Sequence, residues 1–420
     1  MEIFEIQGGK KLKGEIEVRG SKNATTPILA ATLLTPEKCI LSNMPLIEDV
    51  FQMLEILKSM GSKVQWLGKR KICIENRTIN PDKMNPELVK KIRSSILLFG
   101  SLSARFDKFQ IYHPGGCKIG IRPMDTHFEA LRKMGVEVRQ NKKTYSVSAE
   151  KRKPAKIVLK EFSVTGTENA MMLAANLPGK TIIKIAACEP HVEDLGNFLI
   201  SLGAKIKGLG THTLEITGSR KLYGAQHEII PDANEAATFL IMGVATQSPI
   251  KVKNAREDHL DLVLEKLKEF GADFKIEKNR ITVIPALQLK AVNKVDTRTY
   301  PGIPTDVQAP FGVLATQADG KTLIHDSLYE SRFNYINEIN KMGAWAEILN
   351  VHQALISGRT KLTGKKITSF DLRAGAALII AALVAKGKTV IQDIYQVDRG
   401  YEKIEERLQK LGAEIKRITN

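Results

Sequence analysis

A lone cysteine among cations is the first place in this chain where chemistry is expected. Cys117 stands in the run Pro114-Gly115-Gly116-Cys117-Lys118-Ile119-Gly120-Ile121-Arg122-Pro123-Met124-Asp125, close to both Lys118 and Arg122. Nearby positive charge favours the thiolate and makes a thiol reactive. The glycines permit backbone conformations that predict a mobile loop, not helix or strand. An incidental thiol on a surface loop fits the same residues, and the loop alone does not separate the two. Further cations, Lys22, Arg93 and Arg373, stand where helices are predicted to begin. Ser, Thr, Asn and Asp at such places are ordinary N-caps, but a cation at the positive end of a helix is electrostatically unfavourable. These three make sense if several helix N-termini converge on anions.

The elements that must position these residues repeat. An amphipathic stretch closes on a glycine at Gly61, Gly135, Gly203, Gly271, Gly343 and Gly412, at intervals of roughly 70 residues. Each glycine stands where a helix C-terminus takes a left-handed residue, and a strand such as Ala413 to Ile418 follows. Each unit also holds a more apolar helix, starting near Ala24, Ser94, Asn169, Ala236, Ala309 and Ala374. A helix apolar on all faces belongs inside a domain. The expectation is an α/β (α+β) protein of six repeated units.

Composition narrows the class. A chain of 420 residues, 43% hydrophobic and 26% charged, is long enough for two cores and has the balance of a soluble globular protein. The longest apolar run, from Ala374 to Ala385, is too short to span a bilayer. The N-terminus carries no signal-peptide pattern, so the expected location is cytoplasmic. Cys39, Cys73, Cys117 and Cys188 are far apart and the eight histidines do not cluster, which implies neither a metal nor a disulfide framework. A net charge of +17 suits an anionic partner, whether nucleotide, phosphorylated metabolite or nucleic acid. Nucleic-acid binders normally show basic stripes with stacking aromatics. Here aromatics are 6% and the basic residues run through all six units, so no nucleic-acid partner is expected.

The Pro-Gly-Gly-Cys-x-Ile-Gly-x-Arg-Pro run closely resembles the reactive-cysteine loop of the UDP-N-acetylglucosamine enolpyruvyl transferases (1-carboxyvinyltransferases). The similarity extends along the chain. Ser21-Lys22-Asn23-Ala24, Pro304-Thr305-Asp306-Val307-Gln308-Ala309, Glu330-Ser331-Arg332-Phe333, Asp371-Leu372-Arg373-Ala374 and Asp398-Arg399-Gly400-Tyr401-Glu402 resemble further blocks of that family in order. The resemblance implies a two-domain inside-out α/β barrel of six βαβαββ repeats, with the active site in the cleft between domains. Residues 1–21 with 232–420 would form one domain, and 22–231 the other.

The implied reaction transfers the enolpyruvyl group of phosphoenolpyruvate to the 3-hydroxyl of UDP-N-acetylglucosamine, releasing phosphate through a tetrahedral ketal. It is the first committed step of peptidoglycan synthesis and uses no cofactor. By resemblance, Asp306 is the carboxylate near the 3-hydroxyl. Cys117 is the general acid, also involved in product release, and the target of fosfomycin. Lys22, Arg122 and Arg399 bind the phosphoenolpyruvate phosphate, and Arg332 and Arg373 are further active-site cations nearer its carboxylate. Arginine suits both jobs because its planar donors bind oxyanions bidentately. The matches for the substrates further include Asn23, Arg93, Pro123, Met124, Asp125, His127, Ser163, Val164, Leu328 and Asp371. The chain departs from the family pattern at Glu48 and Glu161, where lysines are expected, at Thr165-Gly166, and at Ala233. These departures bear on the sugar nucleotide and leave the reacting centre intact. The sister enzyme acting on shikimate 3-phosphate shares the implied fold but lacks the cysteine loop.

Overall fold

The computed structural model describes residues 2–116, 119–120 and 122–419; Cys117 lies outside the described residues. All six repeat glycines have positive φ, from 80° at Gly135 to 112° at Gly203. In each case the amide after the glycine donates to a carbonyl five residues earlier, as Ser62 does to Leu57, Ala204 to Leu199 and Ala413 to Leu408. This bond satisfies a helix-end carbonyl and turns the chain sharply back. The helices Glu48–Ser59, Pro190–Ser201 and Ile404–Gln409 therefore give way to the strands Lys63–Gly68, Lys205–Lys207 and Glu414–Thr419. The same holds around Gly135, Gly271 and Gly343, so the six-unit α/β reading stands.

The chain divides into two units. One comprises Met1–Arg19, Lys118–Ile121 and Pro231–Asn420; the other comprises Gly20–Cys117 and Arg122–Ile230. In the first, the helices Ala233–Ala245, Gln308–Ala315 and Leu372–Val384 pack on one another. Every residue of Gln308–Ala315 is buried, so this helix has no solvent face. Gly312 allows the close approach: a Cβ there would lie 2.1 Å from the Tyr335 hydroxyl oxygen. In the second unit the inner helices are Lys22–Ala31, Leu98–Arg105 and Val164–Ala175, in contact through Leu98–Arg105.

Sheets clothe these helices. Five of the six have four strands in one repeated plan, a parallel outer strand followed by two antiparallel pairings. In one of them Lys156–Val158 runs parallel to Gly179–Lys184, which pairs antiparallel with Thr213–Gly218, and that with Lys205–Lys207. Strand burial alternates, as in Lys71–Glu75, where Ile72 and Ile74 point inward. Buried helices inside and half-exposed sheets outside make each unit inside-out, and among the described residues no sheet closes on itself. The sixth sheet has only Lys108–Tyr112, Thr144–Ser148 and Glu137–Gln140. There the 3-10 turn Pro81–Lys83 packs beside Lys108–Tyr112 in place of a fourth strand. Pro81 lacks the donor a ladder needs, and Asn80 caps the turn through the Asp82 amide.

One inner helix carries an acid. Glu168, on Val164–Ala175, is 1% exposed, and its Oε1 has no hydrogen-bond partner among the described residues. Burial, reinforced by the Glu189 carboxylate, holds its pKa well above the ordinary range. A raised folded-state pKa gives stability that is intact below the unfolded value of about 4.3 and is lost as pH rises towards the folded value. Glu168→Gln is therefore expected to lose less stability than the parent between pH 5 and pH 8. Parallel urea-melt curves for the two proteins across that window would reject this assignment.

Candidate active site

Asp306 is the centre of a polar cluster in the first unit. It lies within the 3-10 turn Thr305–Val307, whose N-cap is Pro304, ahead of the helix Gln308–Ala315, whose N-cap is Val307. It therefore occupies neither cap position, and its carboxylate faces arginines. Arg332 Nη2 donates to Oδ1 at 3.1 Å. Arg373 Nε donates to Oδ2 at 3.1 Å, with its Nη2 at 3.0 Å from the same oxygen. Asn234 Nδ2 donates to Oδ2 at 3.2 Å. Both arginines are nearly fully buried. Burial alone would lower their pKa values, but Asp306 and the neighbouring acids outweigh it and raise both. Both guanidinium groups thus stay charged at any working pH.

Each partner is held by local structure. Asp371 caps Leu372–Val384, accepting from the amides of Arg373 (2.8 Å) and Ala374 (2.9 Å), which fixes where Arg373 leaves the helix. Arg373 Nη1 also donates to the Tyr401 hydroxyl at 3.2 Å, and that hydroxyl is 2.9 Å from Thr238 Oγ1. Arg332 lies 5.1 Å from the centre of the Tyr329 ring. The buried Asp326 bonds the Thr305 hydroxyl and accepts from the amides of Leu328 (3.0 Å) and Tyr329 (3.2 Å). One carboxylate thereby fixes both the turn bearing Asp306 and the loop bearing Leu328. Arg399 is 8% exposed, at the end of the short helix Tyr395–Asp398, and its Nη1 lies 3.3 Å from Gln396 Oε1. Its neighbour Asp398 is clamped by Arg417 at 2.9 and 2.6 Å.

The second unit holds the other candidates. Lys22 opens the helix Lys22–Ala31, which Ser21 caps through the Ala24 amide. Its Nζ pairs at 3.2 Å with the buried Asp49, and Asn23 follows it, half-buried. Arg93 opens the 3-10 turn Arg93–Leu97 and donates to the Arg122 carbonyl at 2.6 Å. The loop before Cys117 lies against this turn. A Cβ on Gly115 would stand 1.5 Å from the Lys90 carbonyl oxygen, and one on Gly116 2.8 Å from Arg93 Cβ. Glycine is required there for space, and at Gly116 also for its φ of 109°.

Pro123 is exposed and Met124 half-buried; Asp125 begins the helix Asp125–Lys133, in which His127 is buried. Burial, with Arg93 and Arg122 adding to it, lowers the His127 pKa to about 3, so the ring is neutral at physiological pH. Ser163 caps Val164–Ala175 by accepting from the Gly166 amide at 3.2 Å. Glu48 begins Glu48–Ser59, where a negative charge suits the helix end.

Sequence reading missed Asn234, Asp326, Thr238 and Tyr401 as supports of the Asp306 cluster. For Asn234 a signal existed in the run Asp232-Ala233-Asn234-Glu235, a polar pair inside an otherwise apolar helix start. Among the described residues no group of three or more His, Cys, Asp and Glu could hold a metal ion. No helix there is long and apolar enough to cross a membrane.

The family model for EPSP synthase (3-phosphoshikimate 1-carboxyvinyltransferase) matches residues 6–408. Over its whole length the chain is 46% identical to UDP-N-acetylglucosamine 1-carboxyvinyltransferase 1 of Carboxydothermus hydrogenoformans, covering 99% of that protein. It is 44% identical to UDP-N-acetylglucosamine 1-carboxyvinyltransferase of Idiomarina loihiensis, with both chains fully covered. Among solved structures, the enolpyruvyl transferase NikO from Streptomyces tendae is similar with a TM-score of 0.88 at 22% identity, covering all of this chain and 99% of that one. EPSP synthase from Acinetobacter baumannii is similar with a TM-score of 0.75 at 20% identity, with full coverage of both chains. At such identities the two structures speak for the fold alone.

Proposed function

The chain belongs to the EPSP synthase family and, within it, to the UDP-N-acetylglucosamine 1-carboxyvinyltransferases, and from that premise we propose that it transfers the enolpyruvyl group of phosphoenolpyruvate to the 3-hydroxyl of UDP-N-acetylglucosamine. The observation that carries the reading is Asp306 held between the buried guanidinium groups of Arg332 and Arg373. A carboxylate fixed by two permanent cations is suited to a reaction in which one group accepts a hydroxyl proton while others bind an oxyanion. In this reading Asp306 stands near the 3-hydroxyl. Lys22, Arg122 and Arg399 take the phosphate of phosphoenolpyruvate, and Arg332 and Arg373 serve its carboxylate.

Cys117 delivers a proton to the methylene carbon as the new C–O bond forms at C2. Loss of phosphate and a proton from the resulting ketal then restores the double bond. Arg93, Pro123, Met124, Asp125, His127, Ser163 and Val164 hold the sugar nucleotide.

The test is phosphate release from phosphoenolpyruvate with UDP-N-acetylglucosamine or shikimate 3-phosphate as acceptor. Release with the nucleotide sugar alone is expected. Release with shikimate 3-phosphate alone would keep the fold and overturn the substrate. Cys117→Ser is further expected to abolish covalent inactivation by fosfomycin, and undiminished labelling of that variant would remove Cys117 from its role.

A further inference from the structure

Two of the departures seen in the sequence, Glu161 and Thr165, meet partners on a separate stretch of the same unit. Glu161 Oε1 accepts from the Thr126 hydroxyl at 2.8 Å. Thr165 Oγ1 lies 2.7 Å from His127 Nε2. Thr126 and His127 are buried in the first turn of Asp125–Lys133, and Thr165 is in the first turn of Val164–Ala175. The two bonds therefore join two helix beginnings that are close in space and far apart in sequence. On the other side, Arg93 ties the Arg122 carbonyl at 2.6 Å, so the stretch from Arg122 to His127 is held at both ends.

A neutral imidazole offers one donor and one acceptor, and the His127 ring is fixed by the Thr165 hydroxyl with 4% of the residue exposed. A valine at position 165 would keep the volume and remove the bond. The ring would then be left buried beside a methyl group, short of a polar partner that water cannot easily supply. His127 Nδ1 has no partner among the described residues, so the contact with Thr165 is the hydrogen bond that fixes the ring, and a buried bond of this kind favours the one arrangement of the elements it joins.

We infer that Thr165, with the Thr126–Glu161 pair beside it, is a positioning residue that holds the Arg122–His127 stretch against the Ser163–Val164 helix start and so sets affinity for the nucleoside diphosphate part of the acceptor. The identity of that acceptor rests on the proposed function. Thr165 acts through His127 and takes no part in bond making. Its effect falls on binding because a pre-set pocket avoids ordering its walls when the ligand arrives.

The experiment compares Thr165→Val, Thr165→Ser and Thr126→Val with the parent in the full chain, measuring kcat and the KM of each substrate, with a thermal melt of each protein. Thr165→Val is expected to raise the KM for UDP-N-acetylglucosamine about fivefold to tenfold, the effect of one buried hydrogen bond. The KM for phosphoenolpyruvate and kcat should stay within about twofold. Thr165→Ser, which keeps the hydroxyl, should restore the parent value, and Thr126→Val should move the same KM in the same direction. A purely structural contact would instead lower the melting temperature and shift kcat and both KM values together, which would overturn the inference. An unchanged KM for the nucleotide sugar in both valine variants would overturn it as well. Should Thr165→Val not fold, Thr126→Val alone decides. Failure of the parent to turn over UDP-N-acetylglucosamine would overturn the functional reading and this inference with it. Normal parent turnover with unmoved variants would overturn the inference only.

Discussion

Asp306→Asn is expected to lower turnover with UDP-N-acetylglucosamine about 10²- to 10⁴-fold, the range associated with loss of a positioned general base. Asparagine keeps the shape and two heavy-atom positions of the carboxylate but removes its charge and its capacity to take a proton. Its amide also offers hydrogens to Arg332 and Arg373, which are themselves donors only. Nη2 of Arg332 stands 3.1 Å from one oxygen of Asp306 and Nε of Arg373 3.1 Å from the other, so at least one guanidinium must lose its acceptor. The variant should thus show two effects, and they separate by measurement. The catalytic loss appears in kcat at saturating substrate. The structural loss appears as a lower melting temperature, because a buried arginine without its carboxylate carries an uncompensated charge. Calorimetric binding of UDP-N-acetylglucosamine should persist if the fold holds. A folded Asp306→Asn protein retaining more than about a tenth of parental kcat would show that Asp306 is a structural anchor and not the base.

The repeats were legible in the sequence because they depend on local rules. Glycine tolerates the left-handed conformation that ends a helix, and the bond from Ser62 to Leu57 recurs in every unit because the residues around each glycine can all make it. Buried helices were legible because Gln308–Ala315 and Leu372–Val384 have no polar stripe to turn outward. The missing fourth strand beside Lys108–Tyr112 was hidden, although Pro81 was visible, since only the pairing partner shows that a strand was due there.

Side-chain partners were the least legible. Lys22 and Arg93, read as cations facing anions, each have a protein partner within their own unit, Asp49 and the Arg122 carbonyl. An aspartate just before an apolar helix is ordinarily an N-cap, but at Asp306 a 3-10 turn intervenes and places it in neither cap position. Arg373 is 67 residues from Asp306 in sequence, and no local spacing rule connects them. The blocks containing both residues were recognisable by resemblance, but the contact between them is tertiary.

A buried ion pair in the first unit should carry the largest stability effect. Arg407, 7% exposed, donates to both carboxylate oxygens of Glu235 at 2.6 and 3.0 Å, and Glu235 is 3% exposed. The Arg19 amide donates to Glu235 Oε2 at 2.8 Å, and Arg407 Nη2 donates to the Glu17 carbonyl at 2.7 Å. The guanidinium also lies 4.9 Å from the centre of the Phe239 ring. Burial pulls the Arg407 pKa down, but Glu235 outweighs it, so the guanidinium stays ionised. Arg407→Met fills most of the volume and strands the buried carboxylate, at an expected cost of about 3–5 kcal/mol. Arg407→Met with Glu235→Leu removes both charges and should recover most of that loss, since desolvating the pair costs nearly what its attraction returns. Glu235 and Asn234 share the first turn of Ala233–Ala245, and Asn234 reaches Asp306. The single variant is therefore expected to lose activity at temperatures where the double variant keeps it. Calorimetry of the two proteins decides the matter. A single variant within 1 kcal/mol of the parent, or a double variant no better than the single, would mean that packing around Phe239 and not the ion pair holds this end of the helix.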